Sequence, residues 1–314
     1  MTAPNQIVFE NVSKFYGEVL GVNRVSLAIN PGITSLVGPN GSGKTTLMNL
    51  MTGLIRPSQG RIVAFGMEPT SSPEYFRQLG YCAQYDSFPR GVTGHEFIAD
   101  LLGVHGLSKQ QANELAEEAL VRVGLTGAAH RKVAGYSKGM RQRVRFAQAI
   151  AHKPSVLVLD EPLNGLDPMA RAETIALFES LGKQGMHVII SSHILEEVDR
   201  ISNTIVMMSS GYVVAQGRIG QVRQELHEQP LQILVRCTRP SALAARIFAQ
   251  DHVVEARVIP NAEGLLVRTR NPEQFYLLLN RIAAEGVVDV EAVAPADEDV
   301  NSIYQYLIGE GGAS

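Results

Sequence analysis

Cysteine is scarce in this sequence. Among 314 residues there are two, Cys82 and Cys237. They lie far apart and share no metal-ligand spacing, which suits free or buried thiols in a reducing compartment. Long apolar runs are missing as well. The longest candidates, such as residues 156–159, have the length of a strand, and a bilayer span needs roughly 18 to 20 residues. The N-terminal Met1-Thr2-Ala3-Pro4-Asn5 lacks a basic region followed by an apolar one, so it does not read as a signal peptide. Neither sign of charge dominates. The 28 Lys and Arg against 31 Asp and Glu leave −3, which gives no hint of a nucleic-acid partner. No internal repeat and no low-complexity tract is visible. What remains, 45 % hydrophobic and 19 % charged, is the composition of a globular protein with a sizeable core, cytosolic, of one large domain or two smaller ones.

Against that background one stretch organises the chain. Gly38-Pro39-Asn40-Gly41-Ser42-Gly43-Lys44-Thr45 fits the pattern G-x-x-x-x-G-K-[ST] in full. The β-branched run Ile33-Thr34-Ser35-Leu36-Val37 precedes it, and the helical run Thr46-Leu47-Met48-Asn49-Leu50-Met51 follows. Strand, glycine turn and helix start are the context that makes this pattern a phosphate site. The glycines let successive backbone N–H groups point at one anion, and the new helix adds its positive end. Lys44 is placed to reach the β- and γ-phosphates, and the Thr45 hydroxyl to ligate Mg²⁺. A nucleoside triphosphate is expected here. A second motif narrows the chemistry. Val156-Leu157-Val158-Leu159-Asp160-Glu161-Pro162 is an apolar strand that ends in two carboxylates. An acid at that end lies beside the phosphate loop. Asp160 is expected to hold the Mg²⁺ shell and Glu161 to polarise a water for attack on the γ-phosphate.

The rest alternates strand and helix. Residues 7–15, 25–29, 62–65, 79–83, 156–159 and 187–191 read as strands, and 204–216 as a hairpin turning at Ser210-Gly211. Ser108 and Gln111 form a capping box that opens a helix closed by Gly124. Further helices are expected over 139–152, 170–181, 194–200 and 218–227. This order predicts an α/β fold with a mostly parallel sheet, an antiparallel β subdomain and the ligand at the carboxyl ends of the strands. A linker is expected at Glu228-Gln229-Pro230, separating residues 1–228 from 229–314. After it, strands at 231–237, 253–259, 265–269 and 287–293 and helices at 241–249 and 271–286 follow the order β-α-β-β-α-β. That order predicts a small ferredoxin-like α+β domain, with a last short helix over 301–308. Asn271, Pro272 and Gln274 mark a helix start there.

Further segments, in matching order, resemble the ATP-binding subunits of ABC transporters. Tyr136-Ser137-Lys138-Gly139-Met140-Arg141-Gln142 resembles the signature usually written Leu-Ser-Gly-Gly-Gln, with Tyr, Lys and Met as departures and with Ser137 and Gly139 kept. Asn164-Gly165-Leu166-Asp167 resembles the D-loop. His193, after Ser191-Ser192, resembles the switch histidine, and Gln84 resembles the Q-loop glutamine. Tyr16 resembles the aromatic that stacks on adenine. The resemblance covers residues 7–216. It implies a P-loop ATPase with ATP and Mg²⁺. Gly38 through Thr46, Tyr16, Gln84, Ser137, Gly139 and Asp167 would bind the nucleotide. Thr45, Gln84 and Asp160 would serve the metal, and Glu161, His193 and Lys44 catalysis. Lys138 stands either as a solvated side chain or as added positive charge near the triphosphate.

The resemblance further implies a head-to-tail dimer, with the phosphate loop of one subunit facing Ser137 and Gly139 of the other. A homodimer satisfies both sites with one sequence. Permease subunits encoded elsewhere would dock on residues 85–93, at the cytoplasmic face of the membrane. The departures in the signature and the added C-terminal domain look most like bacterial exporters. The alternative is a soluble ABC ATPase acting on ribosomes or nucleic acid, although two cassettes in one chain, a long coiled coil and a basic stripe are all missing. A regulatory ATP-binding module is the third reading, and no residue cluster argues for it.

Overall fold

Residues 7–29 fold back on themselves at Gly17. β1 (Ile7–Tyr16) and β2 (Val19–Ile29) pair antiparallel, and β1 pairs on its other side with β4 (Gln59–Ala64). Alternation along these strands buries Ile7, Phe9, Val22, Val25, Leu27 and Ile62 on one face. That face packs on Leu47, Met48, Leu50 and Met51 of α1 (Lys44–Met51). The structure is a computed structural model and describes residues 5–84, 87–192, 198, 201–218, 231–259, 264–286 and 288–295. It divides into two compact units, Met1–Gln216 and Gly217–Ser314.

The first unit is built on a six-stranded sheet. Its strands are β3 (Gly32–Val37), β5 (Leu79–Cys82), β6 (Val156–Leu159), β7 (His187–Ser192), β8 (Thr204–Ser209) and β9 (Tyr212–Arg218), in the order β5-β6-β7-β3-β8-β9. The pairs β5–β6, β6–β7, β7–β3 and β3–β8 are parallel. All four residues of β6 are buried. Val156 and Val158 enter the core around α1, while Leu157 and Leu159 enter the core on the other face. This explains the unbroken apolar run, because a parallel strand covered on both sides has no polar face to show. The second core is shared by α3 (Gly94–Val104), α4 (Lys109–Arg122), α5 (Lys138–Ile150) and α6 (Pro168–Lys183).

Some expectations need correction. The strand read at 25–29 begins at Val19, because pairing with the whole of β1 extends it. Two helices are absent from the sequence reading, α2 (Pro73–Arg77) and α3. Thr93 and Glu96 close a reciprocal capping box on α3, a signal that was present in the sequence. The helix expected at 194–200, the docking residues Tyr85 and Asp86, and most of the helix expected at 218–227 lie outside the described residues. Arg218 itself ends β9.

In the second unit β10 (Leu231–Cys237), β11 (Val253–Ile259), β12 (Gly264–Thr269) and β13 (Val290–Pro295) form an antiparallel sheet in the order β11-β12-β10-β13. With α7 (Pro240–Ile247) and α8 (Pro272–Ala284) this is the β-α-β-β-α-β arrangement. Ile233, Val235, Leu265 and Val267 pack on Leu243, Ile247, Phe275 and Leu279. Asn271 caps α8 by accepting the N–H of Gln274 at 3.1 Å. The last strand starts at Val290, later than expected at 287. Thr238 and Asp289 exchange hydrogen bonds immediately before it. The helix expected over 301–308 lies outside the described residues.

Candidate active site

Sheet register brings the chemistry together. Val37 pairs with Ser192, and Leu159 with Ile190. The next residues along β3 and β6, Gly38 and Asp160, therefore emerge beside the end of β7. Gly38 to Gly43 then wrap into the start of α1. Gly43 caps that helix at φ +104°, and a Cβ there would lie 2.6 Å from the Gly21 carbonyl oxygen. Only glycine meets both demands, the left-handed backbone and the close approach to β2.

Lys44 is almost fully buried. Its ammonium donates to the carbonyls of Gly38 at 2.7 Å and Pro39 at 3.0 Å. Burial pulls its pKa below the ordinary lysine value, while the carboxylates of Glu161 and Asp160 act in the opposite sense. The cation is thus folded back on its own loop with two acids nearby. Ser42 Oγ is buried and has no hydrogen-bond partner among the described residues. A buried hydroxyl without a partner costs free energy unless a ligand completes it. Together with the N–H groups of a helix start, it fits a phosphate oxygen.

The two carboxylates have separate surroundings. Asp160 is buried, and its Oδ2 accepts from Thr45 Oγ1 at 3.2 Å while its Oδ1 accepts from Ser191 Oγ at 2.5 Å. A hydroxyl and a carboxylate side by side are the hard oxygen donors that Mg²⁺ takes, so the residues present fit that ion. Glu161 is half-buried and has φ +47°. Its carboxylate accepts from Gln84 Nε2 at 3.1 Å and from Asn164 Nδ2. Gln84 is therefore joined to the site through Glu161.

The other expected residues fall around this centre. Gly21 lies between the Tyr16 ring and the Thr46 methyl group, each 2.9 Å from a Cβ built on that glycine. Tyr16 is thereby held close to the phosphate loop, 45 % exposed, with Lys14 Nζ 5.4 Å from its ring centre. Ser137 caps α5 by accepting the N–H of Met140 at 3.2 Å, and the space at Gly139 is open to 3.8 Å. Asp167 caps α6 by accepting from Met169 and Ala170. Ser137, Gly139 and Asp167 touch none of the phosphate-loop residues in the bonds described. His193 lies outside the described residues.

The departures from the signature have local causes. Tyr136 is buried, its hydroxyl donates to the Ala128 carbonyl at 2.6 Å, and it lies where a Cβ on Gly94 would be 2.6 Å from that oxygen. Lys138 lays its stem across Gly165, where a Cβ would fall 2.4 Å from Lys138 Cε. Sequence reasoning missed three partners of the site. Gln142, buried, donates to the Pro162 carbonyl at 3.0 Å and ties α5 to the carboxylate turn. Asn164 and Ser191 reach the carboxylates directly. Gln142 and Ser191 meet partners 20 and 31 residues away, beyond any local pattern, whereas Asn164 is three residues from Glu161.

The family described as ABC transporter matches residues 22–164. The bacitracin transport ATP-binding protein BcrA of Enterococcus faecalis is 31 % identical over 309 residues, 96 % of each chain. The Fe(3+) ions import ATP-binding protein FbpC of Brucella abortus is 36 % identical over 265 residues, 83 % of this chain and 70 % of FbpC. Among solved structures, an ATP-binding subunit of an ABC transporter superposes with TM-score 0.65 at 26 % identity, covering 71 % of this chain and 93 % of that one.

Proposed function

The chain belongs to the ATP-binding proteins of ABC transporters and is an ATPase of that family, and from that premise we propose that it drives export through separate permease subunits at the cytoplasmic face of the membrane. The observation that supports export is coverage. BcrA, named for bacitracin transport, and DrrA of Streptomyces peucetius, named for daunorubicin/doxorubicin resistance and 30 % identical, match 96 % and 94 % of this chain and are covered over 96 % and 90 % of their own length, whereas FbpC, named for import, is covered over 70 %. No helix among the described residues is long and apolar enough to cross a membrane, and the reading assigns the path for the cargo to the permease subunits. The alternative of a ribosome- or nucleic-acid-directed ATPase has no observation in its favour.

In the proposed reaction, the N–H groups of the loop, Lys44 and Ser42 bind the phosphates of ATP, and Tyr16 stacks on adenine. Thr45 and Asp160 would hold Mg²⁺, with Gln84 beside them on its hydrogen bond to Glu161. The ion would supply positive charge against the phosphate oxygens. Glu161 aligns a water. The water oxygen bonds to the γ-phosphorus, the bond from that phosphorus to the ADP oxygen breaks, and the water proton passes to the Glu161 carboxylate. Lys44 leaves its loop carbonyls for the anion, an exchange of neutral acceptors for charged ones. His193 is assigned to the γ-phosphate on the resemblance alone. A second copy supplies Ser137, Gly139 and Asp167 across a two-fold interface. The γ-phosphate is present in ATP and lost in ADP, so ATP favours the closed dimer and hydrolysis releases it.

The test is recovery from membranes. Tagged protein is expected to co-purify with a polytopic membrane protein, and ATP hydrolysis by the pair is expected to disappear in Lys44→Ala. Recovery with ribosomes and without such a partner overturns the reading. Direction is read in inside-out vesicles, with bacitracin and daunorubicin as probes. ATP-driven loss of a probe from the lumen, in place of accumulation, would assign import.

A further inference from the structure

Ser191 lies on β7 and is fully buried. The pairing of Leu159 with Ile190 sets it level with Asp160, 31 residues away in sequence. Its hydroxyl is engaged twice. The N–H of Glu161 donates to Ser191 Oγ at 2.7 Å, and Ser191 Oγ lies 2.5 Å from Asp160 Oδ1. A backbone N–H can only donate, so the single hydroxyl proton is left for Asp160. The relay runs in one direction, from Glu161 N–H to Ser191 O–H to Asp160.

Two features of the acids depend on that one oxygen. Glu161 sits at φ +47°, a backbone region that a residue with a side chain occupies only when its surroundings hold it there. The bond from its N–H to Ser191 is such a hold, and it aims the side chain toward Gln84 and Asn164. Asp160 has one oxygen taken by Ser191 and the other by Thr45, which fixes the rotation of the carboxylate. We propose that Ser191 is a positioning residue for ATP hydrolysis: one hydroxyl fixes the backbone of the catalytic base and the plane of the metal-binding carboxylate at once. This rests on the roles given above to Asp160 and Glu161.

The test compares Ser191→Ala with the parent in full-length protein, using Mg-ATP. A misplaced group at a reacting centre costs up to about 100-fold in rate, so kcat is expected to fall by about 10- to 100-fold, with KM for ATP within about twofold of the parent, because Asp160 keeps its charge and its bond to Thr45. In a Ser191→Ala/Glu161→Gln double variant, kcat is expected to match Glu161→Gln alone within about twofold, because both changes remove the same aligned base. Ser191→Cys keeps the volume with a weak donor, and its kcat is expected between those of parent and Ala. It carries the same kcat and KM comparison if the Ala variant does not fold. Parental kcat in both Ser191 variants, with Glu161→Gln inactive, overturns the assignment. So does a rise in KM that accounts for the whole loss, or strict additivity in the double variant. Parental turnover in Glu161→Gln instead overturns the underlying reading of the base.

Discussion

The hydroxyl of Thr45 donates to Oδ2 of Asp160 at 3.2 Å across 115 residues of sequence. The pair joins the first turn of α1 to the end of β6 and leaves two hard oxygens facing one point. Asp160→Asn preserves the shape and removes the charge that a divalent ion needs. Affinity for Mg-ATP is expected to fall by about 10- to 100-fold, as for other changes that weaken metal coordination, while binding of ATP in EDTA is nearly unchanged. Titration of a fluorescent ATP analogue with and without Mg²⁺ checks this, and equal affinities in parent and variant would release Asp160 from the metal.

Glu161 has a different task and a different phenotype. Glu161→Gln keeps a partner for the water and loses the charge that takes its proton. Binding is expected to survive while hydrolysis falls by about 10² to 10⁴, the usual range for a positioned base. ATP then persists, so the dimer is expected to accumulate on size exclusion in Mg-ATP. Turnover at the parental rate would leave the base unassigned.

Acid stability depends on His152. Its ring stacks on His105 with centres 4.4 Å apart, Nε2 lies 2.9 Å from the Leu79 carbonyl, and Nδ1 is buried without a partner. Burial, with the neighbouring His105 adding to it, pushes the His152 pKa down from 6.5 to about 4. The unfolded chain therefore binds the extra proton between pH 6.5 and about 4, and folding stability falls as pH drops through that window. His105 is shifted in the same direction by burial. At about 1.4 kcal/mol per pKa unit, His152 accounts for about 3 to 4 kcal/mol over the whole window, of which about 2 to 3 kcal/mol falls between pH 7 and 4.5. Denaturant unfolding at pH 7 and pH 4.5 is expected to show a smaller difference in His152→Gln than in the parent. An unchanged difference would clear His152.

Truncation after Gln229 is expected to leave a cooperative, ATP-binding domain. The two cores of the first unit draw on no residue beyond Val213, and the core of the second unit begins at Ile233. Among the described residues, each unit thus has a core of its own. Loss of a cooperative unfolding transition in residues 1–229 would show that the boundary lies elsewhere. The second unit is then expected to stabilise the dimer or tune its activity, read as a change in turnover at equal ATP binding.

How far the site could be read in advance varied with the range of the contact involved. The loop from Gly38 to Thr45 was readable because its function lies in consecutive backbone N–H groups, and the capping box of Ser108 and Gln111 because its partners are three residues apart. Helix α3 was just as local, opened by Thr93 and Glu96. It went unread because Gly94 follows its cap and Gly103 and Gly106 crowd its end, and glycines punctuate loops more often than helices. The signature was readable in outline, but the reason for Tyr136 is a hydrogen bond to Ala128, eight residues back in a buried turn.

The sequence by itself determined the phosphate loop, the pair of acids and most of the order of strands and helices, because each rests on spacing along one segment. The tertiary structure decided which side chains serve those acids. Gln84, Ser191 and Thr45 stand 77, 30 and 115 residues from the acid each one meets. In a parallel sheet, neighbours in space are separated in sequence by whole crossover connections. Their register alone puts Ser191 level with Asp160, where a slip of one residue along β7 would turn its hydroxyl to the opposite face of the sheet.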